Sequence, residues 1–212
     1  MLSTTPRTQL GRAKERAATD HSELHEVLDS GLICHLGVVR DGYPMVVPTC
    51  YGRIGDTLYL HGSTGARSLR LGEGTQVCVT VTHVDGIVYS RSIFDHSVNY
   101  RSAMVYGEAR LVTDEQERED ALRALSEQAA PGSWDYARRP SRKELAATSV
   151  LALSLAEASV KIRTGPPKDE PEDYALPVWA GVLPLVTTWG EPEADPLVLD
   201  GVELPVHIAT RK

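Results

Sequence analysis

The chain has 212 residues and three cysteines, Cys34, Cys50 and Cys78, none of them in a CxxC pair or a zinc-like cluster. Each lies in an apolar run (LICHLG, VPTCYG, QVCVTV), where a reduced thiol packs as a small core residue. No stretch reaches the roughly 20 apolar residues that span a bilayer. The opening MLSTTPRTQLGRAKERAATD lacks the apolar centre of a secretory signal. A reducing, cytoplasmic setting is the expectation. Positive charge is not in excess either: 22 basic against 29 acidic residues give a formal charge of −7. That balance argues against nucleic acid or anionic membrane as a main partner, while a local positive site could still hold a small anion. Internal repeats and low-complexity tracts are absent. So are a GKS or GKT phosphate loop, a GxGxxG dinucleotide fingerprint and a GxSxG hydrolase elbow.

What is present is an ordinary globular balance, 42% hydrophobic and 24% charged. One domain of this size hides roughly 70% of its unfolded surface. Residues 1–19 are polar and basic, an arm that stays loose unless a partner surface orders it. DHSELHEVLDSG reads as a short amphipathic helix, capped by Asp20 and stopped at Gly31, with Leu24, Val27 and Leu28 on one face. From Leu32 to Thr113 the period becomes that of strands. LICHLGVV, PMVVPTCYGRI, TLYLHGS, QVCVTVTHV and RSAMVYGEARLV are joined by turns such as RDGY and Gly55-Asp56. Residues 113–130 return to helix, with Thr113 and Gln116 as an expected capping box. VLALSLAEASVKIRTG reads as a last long strand, although its first half fits a helix equally well. Residues 20–165 therefore form one mainly β domain of six strands, closed as an antiparallel barrel with flanking helices. Residues 166–212 form an extension that packs on the barrel or on a neighbouring subunit.

TLYLHGSTGARSLR carries the chemistry. A strand ends at His61, the turn Gly62-Ser63-Thr64-Gly65 follows, and a short helix begins near Arg67 and Ser68. Phosphate binding asks for these parts: glycines that let the backbone approach, hydroxyl donors, a helix start and an arginine able to clamp two oxygens. A plain strand-to-helix turn with a surface arginine explains the composition equally well.

HLGVVRDGYPMVVPTCYGRIGDTLYLHGSTGARSLRL, YRSAMVYGEARLV and the tail KIRTGPPKDEPEDYALPVWAGVLPL together resemble the pyridoxamine 5′-phosphate oxidase-like FMN-binding split-barrel family, in its flavin-nucleotide-binding, nitroimidazole-resistance-type branch. The resemblance implies a homodimer with FMN in clefts between subunits, and oxidoreductase chemistry on a small molecule with a nicotinamide donor. It implies flavin-ring contacts along Val47, Pro48 and Thr49, and phosphate contacts from His61, Ser63, Thr64, Arg67 and Ser68. Tyr100, Arg101 and Ser102 would reach the cofactor from the other subunit, and Trp179 would lie near the flavin. Two departures argue against vitamin B6 oxidation: Ala66-Arg67 replaces an Arg-Lys pair, and the C-terminal Arg- and His-rich motif has no counterpart. A flavin carrier or sensor without turnover remains an alternative, as does a haem or deazaflavin in the same barrel. His35, His83 and His96 are candidate haem ligands.

The remaining motifs have plainer readings. His21 and His25 share a helix face at metal-binding spacing, but no third ligand follows in sequence, and no metal is expected. Asp95, His96, Asn99 and Tyr100 form a polar loop cluster without a nucleophile motif. Trp134 and Tyr136 anchor a loop, and Arg138, Arg139, Arg142 and Lys143 form a solvated basic face.

Overall fold

The computed structural model describes residues 2, 4–18 and 20–211, the side chain of Arg67 excepted. Among the described residues the order is β1 (Ala17–Ala18), α1 (His21–Asp29), β2 (Ile33–Arg40), β3 (Tyr43–Ile54), β4 (Thr57–Ser63), α2 (Arg67–Gly72), β5 (Gln76–Tyr89), β6 (Ser97–Glu108), β7 (Arg110–Leu111) and α3 (Glu115–Ala129). There follow α4 (Ser133–Tyr136), α5 (Arg142–Ala146), β8 (Thr148–Ser154), β9 (Ala158–Arg163), β10 (Gly181–Pro184) and α6 (Val206–Ala209).

Period-two alternation builds the barrel wall. In β2, Cys34, Leu36 and Val38 are buried between more exposed neighbours, and in β5 Val77, Val79 and Val81 do the same. The strands pair antiparallel in the order β1-β9-β6-β5-β2-β3-β4-β8-β7, and β10 pairs with the far end of β5. Between β2 and β3, Asp41 and Gly42 both take positive φ (50° and 80°), the backbone that a two-residue hairpin turn demands. The decisive irregularity lies in β3. Its residues 43–50 pair with β2, whereas Tyr51–Ile54 pair with β4. Beyond Tyr51 and Leu60 the two strands part, and the wall is split there.

The interior holds Leu36, Val38, Leu58, Leu60, Val79, Val105, Leu151 and Val160, and α1 plugs it with Leu24, Val27 and Leu28. Each fully buried Leu or Val side chain contributes about 1.5–3 kcal/mol. A second cluster lies outside the β4–β8 wall, where α3 and Trp134 cover Tyr59, Val150 and Ala152. There Gly52 lets α3 lie close on β3: a Cβ at Gly52 would stand 2.6 Å from the Leu125 nitrogen.

The architecture corrects three sequence expectations. There are ten strands among the described residues where six were expected. β1, β7 and β10 are two to four residues long, too short for a periodic signal, and the expected last strand is divided into β8 and β9. The division falls at residues 155–157, because β8 pairs with β4 and β7 while β9 pairs with β6 and β1. The third concerns α3. Asp114, not Thr113, is its cap, and the Asp114 carboxylate accepts the Glu117 N–H at 2.8 Å. A carboxylate at a helix N-terminus also complements the dipole, which a threonine hydroxyl cannot.

Residues 4–18 lie along the barrel: Arg7 pairs with Glu157 and donates to Gln76 at 2.8 Å, and β1 adds to β9. The start of the tail is clamped by Asp169. Its carboxylate is covered and accepts from the Arg91 N–H at 2.8 Å and from the Arg91 guanidinium at 2.7 Å.

Candidate functional site

At the split, β3 residues 43–50 have one edge without a strand partner among the described residues. Backbone N–H and C=O groups on such an edge need partners, and a planar heterocycle with a polar rim can supply them. Val47 and Thr49 point half-buried toward the interior, while Pro48 faces outward. β4 runs from the split into the turn at Ser63-Thr64-Gly65.

That turn is braced by its own backbone. Thr64 N–H donates to the Ala147 carbonyl at 2.9 Å, Ala66 N–H to the Ser63 carbonyl at 2.7 Å, and Gly65 N–H to Ser63 Oγ at 3.1 Å. Three backbone amides of the turn are thus already committed within the chain. The turn's free donors are side chains. The hydroxyls of Thr64 and Ser68 have no partner among the described residues, and the Ser63 hydroxyl still has its proton to give. His61 adds the clearest signal: its Nδ1 is buried without a hydrogen-bond partner. Burial lowers the His61 pKa, so the ring is neutral at pH 7. These residues fit a phosphate-bearing ligand that accepts hydrogen bonds. Arg67 heads α2 and its side chain lies outside the described residues.

The remaining expected positions lie elsewhere in this chain. Tyr100, Arg101 and Ser102 lie in the first half of β6, with β5 and β2 between them and β3. Ser102 Oγ donates to the Lys161 carbonyl at 3.4 Å, and Arg101 is held by Asp85 and by Glu26. Trp179 is exposed; its ring packs 6.1 Å from that of Tyr89 and covers Gly181. Two of the four basic residues of GSWDYARRPSRK are neutralised locally. Arg138 pairs with Glu144, whose carboxyl this pairing holds down to about 2, and Arg139 pairs with Asp135 and stacks on Trp134. Among the polar loop residues, Asn99 bonds to Arg163 and to the Gly165 carbonyl, and His96 Nδ1 lies within hydrogen-bonding reach of the Ser90 N–H and, in the other tautomer, of the Ser92 carbonyl. Those roles are structural.

Two features escape sequence reasoning. The outer face of β2 and β3 is exposed and apolar, with Ile33, Val39 and Val46 standing around His35, which sits opposite Pro48 and Thr80. Asp56, in the β3–β4 turn, stands against both His21 and His25, which are 35 and 31 residues earlier in the chain. Only the fold brings it there.

An antiparallel barrel split between β3 and β4, with a hydroxyl-rich turn at the split, defines a split-barrel class of protein. The chain belongs to the pyridoxamine 5′-phosphate oxidase-like family: the model described as pyridoxamine 5′-phosphate oxidase matches residues 20–162. The structure of flavocytochrome Anf3 from Azotobacter vinelandii is 39% identical, with 98% of this chain and 97% of that chain covered and a TM-score of 0.93. That of the FAD and haem binding protein from Mycobacterium smegmatis is 40% identical, covering 92% and 96%, with a TM-score of 0.87. A protein from Bacteroides thetaiotaomicron, described as a 5-nitroimidazole antibiotic resistance protein, shares the fold at 21% identity, 69% and 86% coverage and a TM-score of 0.59. No curated protein matches the chain. No helix among the described residues is long and apolar enough to cross a membrane.

Proposed function

We propose that this protein is a flavin- and haem-binding oxidoreductase, and that it works as a homodimer. The observation that carries the reading is the pairing at the split: an unpartnered strand edge beside a turn whose buried imidazole nitrogen has no partner. His61, Ser63, Thr64, Ser68 and Arg67 would hold the nucleotide phosphate, and the β3 edge at Val47–Thr49 the polar rim of the ring. The sequence resemblance implies FMN. The FAD named for the Mycobacterium smegmatis protein, at 40% identity, makes FAD the stronger choice, and the same phosphate partners serve either nucleotide.

The likeness to a flavocytochrome and to a haem-binding protein supports a second cofactor. A haem iron needs an imidazole with a nitrogen to spare. His83 and His96 each keep one: His83 Nε2 is bonded to the Val27 carbonyl at 2.9 Å and His96 Nδ1 is engaged by backbone, while His21 and His25 share Asp56. The His35 ring has no hydrogen bond among the described residues and stands exposed on an apolar face that a flat macrocycle can cover, so it is the leading candidate, ahead of His61, His83 and His96. The bound cofactors would supply the electron transfer, while the protein positions them and excludes water. A small molecule and a nicotinamide donor are the proposed partners. Val39 and Val46, 63% and 64% exposed, lie on the face that a second copy would cover.

The test is the absorbance spectrum of untagged protein, with released cofactors identified by mass spectrometry and mass measured in solution. Flavin bands, a Soret band and a dimer mass are expected. His35→Ala should lose the Soret band and keep flavin, and Arg67→Ala should weaken flavin binding. A colourless protein that takes up neither added FAD, FMN nor haemin would overturn the reading. Flavin that neither NADH nor NADPH reduces would favour a carrier.

A further inference from the structure

We propose that His21, His25 and Asp56 form a binding site for a first-row divalent cation of the zinc type. The site is independent of the flavin and haem reading. His21 and His25 stand one turn apart on α1, and the β3–β4 hairpin presents Asp56 to them. Asp56 Oδ1 lies 2.9 Å from His25 Nε2 and 3.7 Å from His21 Nδ1. One ligand atom from each of the three lies within 4.8 Å of the others. Ligands held about 2.0–2.1 Å from a tetrahedral zinc stand roughly 3.3 Å from one another. The two carboxylate–imidazole distances bracket that value, and rotation of the partly exposed rings can bring the two imidazole nitrogens, within 4.8 Å of each other, to it.

The frame around the site is fixed. Leu24, Val27 and Leu28 bury the adjoining face of α1 in the barrel. The turn is pinned from both sides: Arg53 Nη1 donates to the Gly55 carbonyl at 2.7 Å, and Leu155 N–H donates to the Asp56 carbonyl at 2.9 Å. Ligands on rigid elements lose little entropy on binding. Arg53, which donates to the same turn, is itself neutralised by Asp29 at 2.7 Å, and Glu23 is turned away to the Asp20 N–H. Two imidazoles and one carboxylate favour Zn²⁺, Cu²⁺, Ni²⁺ or Co²⁺ over Mg²⁺ or Ca²⁺, which want oxygen ligands. Three protein ligands leave a position open to water, and Asp56, 66% exposed, lies where water can reach it. A bound ion would tie α1 to the β3–β4 turn and stabilise the native chain by mass action.

Calorimetry with Zn²⁺ on metal-stripped protein without a histidine tag tests the proposal. One ion per chain is expected, with a Kd of about 10 µM or tighter. His21→Gln, His25→Gln and Asp56→Asn should each weaken binding by about tenfold or more. Zn²⁺ should raise the Tm of the parent and leave that of the variants unchanged. Electron paramagnetic resonance of the parent with one equivalent of Cu²⁺ should resolve two imidazole nitrogens. Absence of stoichiometric binding at about 1 mM Zn²⁺ would refute the site. So would an affinity that all three substitutions leave unchanged. A Cu²⁺ spectrum with fewer than two nitrogens refutes it even if a variant fails to fold.

Discussion

Arg101 grips Asp85 through three hydrogen bonds: Nε reaches the two carboxylate oxygens at 3.3 and 3.0 Å, and Nη2 reaches one of them at 3.0 Å. Asp85 occupies the bulge between Val84 and Gly86, where β5 bends and β10 joins it. The guanidinium is therefore committed within its own chain. Arg101→Leu is expected to lower stability by about 1 kcal/mol, as for a half-buried charge pair. Flavin content of the purified variant should stay close to that of the parent. Urea titration and the ratio of flavin to protein absorbance check both, and a flavin-free but folded variant would place Arg101 in the cofactor site.

Gly52 carries a different kind of constraint. A Cβ there would meet backbone atoms of Ala124 and Leu125 at 2.6–2.9 Å, and a helix backbone cannot turn aside as a side chain can. Gly52→Ala should cost about 3 kcal/mol, at the upper end of overpacking effects, as α3 is pushed off β3. For a chain of this size that is a Tm lower by about 6–12 °C, read by calorimetry. A fall of only a degree or two would mean that α3 relaxes away freely.

Much of the fold was legible because its signals are local. Alternation in LICHLGVV and QVCVTVTHV, the Asp41-Gly42 turn and the apolar face of α1 each needed only neighbouring residues. What stayed hidden is tertiary. The break between β8 and β9 carries no glycine or proline; it arises because Leu155 N–H donates to the Asp56 carbonyl and the chain changes partners. The two residues of β1 and of β7 give no period to read. At the site, the run of hydroxyls was visible in sequence, but the use of the Thr64 amide by Ala147 was not. Asp56 illustrates the same limit: its meeting with His25 spans 31 residues.

The cysteines offer a direct chemical check. Burial pushes the Cys34 thiol up to about 12, so at pH 8 it is almost wholly protonated and walled off inside the barrel. Cys78, half-buried on β5, is also pushed up by burial. In the native protein a thiol reagent such as iodoacetamide should leave Cys34 unlabelled, while all three cysteines react in denaturant. Peptide mapping identifies the labelled positions. Rapid native labelling of Cys34 would mean that the barrel opens to solvent in the native state.

The last prediction concerns His61 and has a sign that depends on the ligand. Burial holds its pKa below the unfolded value, so between the two values the unfolded chain binds more protons than the native one. Stability from this residue is present above the ordinary imidazole pKa of about 6.5 and is lost as pH falls below it. In cofactor-stripped protein, the urea midpoint of the parent should fall from pH 7.5 to 5.5 more steeply than that of His61→Gln. A bound phosphate reverses the logic, because the anion favours the protonated ring and raises its pKa. With a flavin nucleotide bound, the extra acid sensitivity of the parent should shrink or change sign. Parallel curves for parent and variant in the stripped protein would show that burial does not govern His61. Curves that differ when stripped and stay unchanged on loading would place the phosphate away from His61.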